Sequence, residues 1–255
     1  MKIEKFVKLG SSKYKVFFDN KKSMTIYDDV ILKYNLLTNN QIDEKTLIEI
    51  NKANEIAGIK DTVIKYIGLR IRSTKEIDIY LEKKGIAKKE REKLIDFLSE
   101  KKLIDDELFA VCFAKDKFSF NNVGPLKIAK ELEKHCIDPH LINKAVLSID
   151  EGELKNKVNK IIDKLIKVNH KYTSLILKQK IINHLCNMGY QKELVYEMLE
   201  SKTIDNGSNM INKEYEKLRR KFSRKYSDDE LRFKICQSLY KKGFTKEEIE
   251  NTQEY

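Results

Sequence analysis

Two prolines and nine glycines in 255 residues leave little punctuation for a sheet-rich fold, because all-β chains need both at frequent turns. Their scarcity points instead to long helices, which tolerate few of either. Four cysteines (Cys112, Cys136, Cys186, Cys236) lie far apart with no C-x-x-C among them, so neither a disulfide framework nor zinc-ligand spacing is present, and reduced thiols are expected. No stretch approaches the roughly 20 apolar residues that span a bilayer. The opening "MKIEKFVKLGSS" threads charges through any would-be signal segment. These absences predict a cytoplasmic chain without a membrane anchor. There is also no P-loop, no G-x-S-x-G and no G-x-G-x-x-G, so neither an enzyme nor a cofactor is expected.

What is abundant is charge. Charged residues make up 36% of the chain and apolar residues 41%, against roughly 25% charged in an average soluble domain. A long, thin molecule exposes more surface per residue than a sphere, so the composition fits an elongated helical array. The net charge of +11 divides as +4 over residues 1–70, +1 over 71–150 and +6 over 151–255. Basic ends suit a polyanionic partner, although charge speaks to association and not to identity.

The N-terminal "KIEKFVKLGSSKYKVFFDNKKSMTIYD" reads as two or three short antiparallel strands. Tyr14, Val16 and Phe18 alternate with Lys13, Lys15 and Phe17, and "GSS" and "DNKK" supply turns. A hairpin alone is marginal, so this sheet must pack on the helices after it. From Tyr27 the pattern turns helical through Val30, Ile31, Tyr34 and Leu37, then again from Asp43 through Ile56.

Beyond residue 70 one pattern recurs. Ile-x-x-x-Leu-x-x-x-Gly occurs as Ile77/Leu81/Gly85, Ile181/Leu185/Gly189 and Ile235/Leu239/Gly243, with Ile128/Leu132/Cys136 as a variant. The intervals are 51, 53 and 54 residues, the signature of a repeat architecture. Isoleucine and leucine four apart form a buried stripe, and the glycine suits a left-handed C′ position. Cys136 predicts a turn that is more strained or of another type. A second helix follows each anchor, with apolar residues at Leu94/Ile95, Ala145/Val146 and Met198/Leu199. Third helices are "DDELFAVCFAKDKF", "GELKNKVNKIIDKLIKV" and "INKEYEKLRRKFSRKY". Ser73–Glu76, Ser227–Glu230 and Thr245–Glu248 read as capping boxes, and Asp138-Pro139 as an N-cap with proline at N1. The expected organisation is N-terminal strands and first helix (1–42), a partial repeat (43–70), three-helix repeats at 71–118, 119–170 and 171–226, and a truncated repeat at 227–255. The fold class is mainly α: tandem three-helix repeats behind a small N-terminal β-sheet.

Few residues invite chemistry. His135, Cys136 and His140 form H-C-x3-H, but adjacent His135 and Cys136 point to different sides of a helix end, and no second ligand pair exists at zinc-like spacing; no metal site is expected. Asp105 and Asp106 precede an apolar helix, where acids cap and complement the helix dipole. In "KLRRKFSRKY", Lys217, Arg219, Arg220, Lys221, Arg224 and Lys225 surround Phe222 and Tyr226. That cluster either neutralises phosphates with its rings as stacking platforms, or is a solvated face with Leu218 and Phe222 turned to the core.

These residues together resemble the RecX family of regulators of the RecA recombinase, along nearly the whole chain. "KYIGLRIRSTKEIDIYLEKKGI" is similar to the family's Arg-x-Arg-Ser…Lys-Gly signature, with Arg70, Arg72, Ser73, Glu76, Leu81, Lys84 and Gly85 in place and Ile77 for the usual leucine. "LIDDELFA" resembles its Asp-Asp-x-x-Phe-Ala block, and Gly124, Ile128, Glu131 and Leu132 a third motif. Cys136 stands where the family has glycine. The resemblance implies a monomeric chain of three-helix repeats that binds the RecA filament on single-stranded DNA and modulates it, mostly by inhibition. Arg70, Arg72, Lys83, Lys84 and the 217–225 cluster are then the expected partner-facing residues, with direct DNA contact open. The bland reading has Arg70 and Arg72 only packing their stems. A sequence-nonspecific DNA-binding protein is the alternative function, since three-helix units can mimic helix-turn-helix modules. A scaffold for some other protein is the third.

Overall fold

A computed structural model of the chain describes residues 1–169, 172–202, 204 and 208–252, and for 208 and 209 the backbone alone. It contains two compact units, Met1–Phe109 and Ala110–Tyr255.

In the first unit, β1 (Ile3–Lys8), β2 (Lys13–Phe18) and β3 (Ser23–Tyr27) form an antiparallel sheet in chain order. Val16 lies opposite both Phe6 and Met24. Alternation puts Val16, Phe18 and Ile26 into a core closed by α1 (Asp28–Lys33) and the first half of α2 (Glu44–Ile67), through Val30, Ile31, Ile50 and Ala57. Asn54 on α2 ties down the edge strand: its carbonyl oxygen accepts from Tyr27 N at 2.9 Å, and its amide donates to Thr25 O at 2.8 Å. Side-chain pairing of this kind blunts an open sheet edge. The far end of α2 serves a second core. There Val63 meets Ile77 and Leu81 of α3 (Thr74–Lys83) and Leu94 and Leu98 of α4 (Lys88–Glu100).

The helices of the repeat continue as α5 (Asp106–Asn121), α6 (Pro125–Lys134), α7 (Pro139–Leu147), α8 (Glu151–Val168), α9 (Ser174–Asn187), α10 (Lys192–Glu200), α11 (Ser208–Phe222), α12 (Asp228–Lys241) and α13 (Lys246–Thr252). All eight anchor residues are at most 1% exposed. Packing groups the helices one step earlier than the chain pattern does. Val158 and Ile162 of α8 share a core with α9 and α10. Ile211 and Leu218 of α11 share one with Ile235 and Leu239 of α12 and Ile249 of α13. A sequence period sets the spacing of a repeat but not its phase, which depends on the helix the anchor stripe meets.

Each anchor helix ends in the same hydrogen-bonded turn. Ile86, Ile137, Tyr190 and Phe244 donate from N–H to Leu81, Leu132, Leu185 and Leu239, at 3.1 to 3.4 Å. This is the Schellman pattern. Cys136 makes it as well, so its turn is not of another type. It does so at φ +56°, beside +78°, +93° and +82° at Gly85, Gly189 and Gly243, and an L-residue in that region carries about 1–2 kcal/mol of strain. Among the expected caps, Thr245 and Glu248 form a complete box at 3.3 and 2.7 Å, and Asp138 accepts from His140 N at 2.8 Å. Ser73 accepts from Glu76 N at 3.2 Å. The Ser227–Glu230 box does not form: Ser227 makes no side-chain cap bond. The residue after it, Asp228, stands in the left-handed region at φ +44°.

Within the second unit the helix ends fit one another. The C-terminal turn of α9 sits on the N-terminus of α6, where Gly124 N donates to Met188 O at 2.7 Å and Leu126 N to Gly189 O at 3.0 Å. Carbonyls left over at one helix end thus satisfy the N–H groups left over at another. The approach is so close that a Cβ on Gly124 would lie 2.4 Å from the Gly189 carbonyl carbon, and one on Gly189 would lie 2.4 Å from Lys127 Cβ. Tyr190, 1% exposed, adds a bond from its hydroxyl to Asn122 O at 3.1 Å. A related close approach, bonded through a side chain, joins α12 to α9. A Cβ on Gly243 would meet Thr173 Oγ1 at 2.8 Å, and Thr173 Oγ1 donates to Lys242 O at 3.4 Å.

Asparagine tolerates the left-handed region, so it separates backbone freedom from close approach. Gly85 has open space around it; Gly85→Asn should cost under about 0.5 kcal/mol, whereas Gly189→Asn should cost about 2–3 kcal/mol, read from urea midpoints. Burial pushes the Tyr190 hydroxyl up to about 12, from 10.0. Its contribution is whole below about pH 10. Between pH 10 and about 12 the unfolded chain releases the proton and the folded one keeps it, so stability falls as pH rises. Thermal midpoints of the native protein should therefore drop more steeply over that range than those of Tyr190→Phe.

Candidate interaction surface

The turn joining α2 to α3 carries the first set of expected partner-facing residues. Asp106 accepts from Thr74 N at 2.7 Å, across at the start of α3, while Asp105 caps its own helix through Glu107 N and Leu108 N at 2.9 and 3.0 Å. Both acids are therefore cap groups. With the start of α3 fixed, Arg70 lies against Glu76, its two terminal nitrogens 3.0 and 2.6 Å from the carboxylate oxygens, and it also reaches Ile71 O at 3.0 Å. That fork raises the Arg70 pKa, the Glu76 hydrogen bonds outweighing desolvation.

Arg72 takes a different partner. Its guanidinium lies 3.8 Å above the Tyr66 ring, and Tyr66 stacks on Tyr80 with centroids 4.0 Å apart and planes 8° from parallel. Two groups this close to one ring must occupy opposite faces. Lys84 Nζ then lies 5.6 Å from the Tyr80 centroid, so cation, ring, ring and cation form one pile across the α2–α3 turn. Such contacts contribute about 0.5–2 kcal/mol each, more when desolvated. Sequence reading missed this pile: Tyr66 and Tyr80 sit 14 residues apart on two helices, and no local spacing signals their meeting. Lys83 and Lys84 are exposed. Beside them a cleft of about 430 Å³ runs along Gly58, Ile59, Val63, Tyr80 and Ile86.

The second set lies on and beyond the last turn of α11. Lys217 pairs with Glu214 at 3.6 Å and Arg219 with Glu216 at 3.7 Å, on acids just upstream of the basic run. Glu214 also takes Lys242, whose hydrogen bond is the main reason its carboxyl lies below the usual range. Arg220, Lys221, Arg224 and Lys225 are exposed. Leu218 is buried, and Phe222 is half-buried on the same core with its edge toward Tyr226, centroids 6.2 Å apart. The ring thus takes the core role, and the cluster offers charge without Phe222 as an open platform. The structure brings Arg72 and Lys84 onto one aromatic pair in the first unit, with Arg70 on Glu76; the 217–225 residues stand on and just beyond α11 in the second.

A third basic feature was not legible from sequence. Lys157 of α8 donates to Phe118 O and, at 3.1 Å, to Ser119 O, capping the end of α5 with its ammonium 4.2 Å from the Phe118 centroid. Desolvation lowers its pKa. Lys160 and Lys164 line the same cleft of about 490 Å³. Among the described residues, no three histidine, cysteine, aspartate or glutamate side chains are grouped to hold a metal ion, and no helix is long and apolar enough to cross a membrane. His135 instead lies edge-on to Phe113, centroids 5.4 Å apart, and all four cysteines are free.

Arg72→Lys keeps the charge and loses the plane that stacks on Tyr66. It should destabilise the protein by about 1 kcal/mol, while Lys83→Ala, on an exposed position, should stay within about 0.5 kcal/mol; urea unfolding of the two variants side by side reads the difference.

Comparison with known proteins places this architecture. Residues 105–146, which span α5 to α7, match the family model described as RecX, second three-helix domain. That match has the phase of the packed units, opening on the helix before the anchor. The regulatory protein RecX of Bacillus licheniformis is 27% identical over 93% of this chain and 92% of its own length. That of Lactococcus lactis is 28% identical over 91% and 88%, and that of Bacillus subtilis 26% over 95% and 93%. A crystal structure of regulatory protein RecX superposes with a TM-score of 0.69 at 21% identity, covering 79% of this chain and 99% of its own. The RecX structure from Lactobacillus salivarius gives 0.55 at 20% identity, covering 58% and 96%. The second three-helix domain, the length-spanning relatives and the shared fold agree: along most of its length the chain is similar to proteins named regulatory protein RecX.

Proposed function

We propose that this protein is a regulator that binds the RecA filament on single-stranded DNA in the cytoplasm and restrains its recombinase activity, without chemistry of its own. The observation that carries the reading is similarity over more than nine-tenths of the chain to proteins named regulatory protein RecX. Two features of the surface support it. Similar helical units recur along the chain, which suits a partner that itself repeats, since several weak contacts add through effective concentration. Cations also stand exposed in both units, at Lys83 and Lys84 and at Arg220, Lys221, Arg224 and Lys225, where DNA phosphates or an acidic protein face would meet them.

The basic run on α11 favours a second reading, sequence-nonspecific binding to DNA itself. That reading requires tight binding to naked DNA that weakens steeply with salt.

ATP hydrolysis by the cognate RecA on single-stranded DNA distinguishes them. Added well below the RecA concentration, the protein should lower hydrolysis while binding the same naked DNA weakly. Arg219→Glu/Arg220→Glu/Arg224→Glu should raise the half-inhibitory concentration about tenfold or more, equivalent to at least 1.4 kcal/mol. Inhibition that appears only when the protein coats the DNA transfers the function to DNA binding. An intact triple variant that inhibits like the native protein removes the cluster from the site.

A further inference from the structure

Helix α8 carries a basic cleft that neither reading of the function uses. Lys157, Lys160 and Lys164 follow one another at intervals of three and four residues, so they stand on one face of the helix. At about 1.5 Å per residue they span about 10 Å of its length. All three line the cleft of about 490 Å³, with Ser119, Asn122 and Asn156 as further polar groups and Phe118 and Ile161 as its apolar wall. Glu153, the acid among the lining residues, stands one turn before Lys157, beyond the end of the lysine stripe.

Other charges on α8 have partners. Lys155 pairs with Glu151 at 2.9 Å and with Glu197 at 3.8 Å, and Asp163 pairs with Lys202 at 2.8 Å. Among the described residues Lys160 and Lys164 have no such carboxylate, and both are exposed, as are Ser119, Asn122 and Asn156. Lys157 is the fixed member. Its bonds to Phe118 O and Ser119 O use two of the three donors of an ammonium group and leave the third. Burial disfavours its charge, Glu153 favours it, and the neighbouring Lys160 again disfavours it. Like charges are thus held together beside an apolar wall, an arrangement that focuses the field into a cleft and draws in anions.

We propose that this cleft binds linked phosphoryl groups, as an oligophosphate or the backbone of a nucleic-acid strand presents them. Lysine meets phosphate oxygens as a point charge, and three lysines strung over about 10 Å reach further than one phosphate or one carboxylate extends. One phosphoryl group sits between Lys157 and Lys160, and the next meets Lys164. The amides of Asn122 and Asn156 and the hydroxyl of Ser119 donate to the remaining oxygens. The volume falls among those of small-ligand sites, roughly 300–1,000 Å³. Every lining residue belongs to the second unit and none to the 217–225 cluster, so the site stands whether or not the filament reading holds.

Isothermal titration calorimetry of the full chain at low salt, without recombinase, tests this with two ligands: tripolyphosphate and an eight-nucleotide oligodeoxythymidine. At least one should bind saturably with a Kd below about 1 mM; the tighter of the two names the source of the phosphoryl groups. Lys160→Gln/Lys164→Gln, shown to be folded by circular dichroism, should bind that ligand about tenfold or more weakly. Lys88→Gln/Lys89→Gln removes the same charge from exposed positions on α4 and should change the affinity less than about twofold, since charges that far from a ligand are screened. Saturable binding of neither ligand up to about 10 mM overturns the proposal. So do equal losses in the two variants, or a hexaglutamate peptide that binds as tightly as the better ligand.

Discussion

A helix ends with N–H groups unsatisfied at one terminus and carbonyls unsatisfied at the other, and a chain built almost wholly of helices must resolve that mismatch many times. Here part of the solution is mutual. The carbonyls of Met188 and Gly189 at the end of α9 take the N–H groups of Gly124 and Leu126 at the start of α6, and where α12 meets α9 the Thr173 hydroxyl donates to the Lys242 carbonyl. The rest of the second unit depends on that contact. It requires glycine where two backbones approach within van der Waals distance, and a Schellman turn so that the carbonyls face outward. It also requires a constant helix length between stripe and turn, which the Ile-x-x-x-Leu-x-x-x-Gly spacing encodes.

The surface is organised by what the joints and cores leave over. Arg70 and Arg72 hold the α2–α3 turn, through Glu76 and the Tyr66–Tyr80 pair, and so are engaged inside the protein. Lys157 is drawn into the end of α5. The lysines before Gly85 and the cations after Arg219 remain in solvent. What rigid helices display to a partner on this scaffold is therefore this remaining set of cations, in a chain similar to proteins named regulatory protein RecX.

Much of the fold was legible because it is local. The anchor stripes, the C′ turns and most of the caps depend on residues within ten positions of one another, and the three strands on simple alternation. Other features were not legible, for three distinct physical reasons. The phase of the repeat depends on which neighbouring helix the stripe meets, as α8 does α9, and a period contains no phase. The Ser227 box does not form, and the residue after it, Asp228, stands at a left-handed backbone angle that residue type does not dictate. The aromatic pile and the receiving side of the joint at Gly124 unite residues 14 and 65 positions apart, beyond any local pattern. In the candidate surface, sequence named the cations but not their engagements, because Glu76, Tyr66, Glu214 and Glu216 decide which charges stay free. Phe222 stood between two roles until its burial beside Leu218 assigned it to the core.

On this architecture the helix-end joint is expected to couple neighbouring repeats and not merely to decorate them. Native-state hydrogen exchange of Gly124→Ala, set against the native protein, tests it directly. The substitution places a methyl group against the Gly189 backbone, while the cores on either side keep every side chain. If the joint couples the repeats, the slow amides around Ile128 and Leu132 in α6 and around Ile181 and Leu185 in α9 lose protection together and by similar factors. Faster exchange confined to the first turn of α6, with α9 as protected as before, would mean that the joint does not couple them.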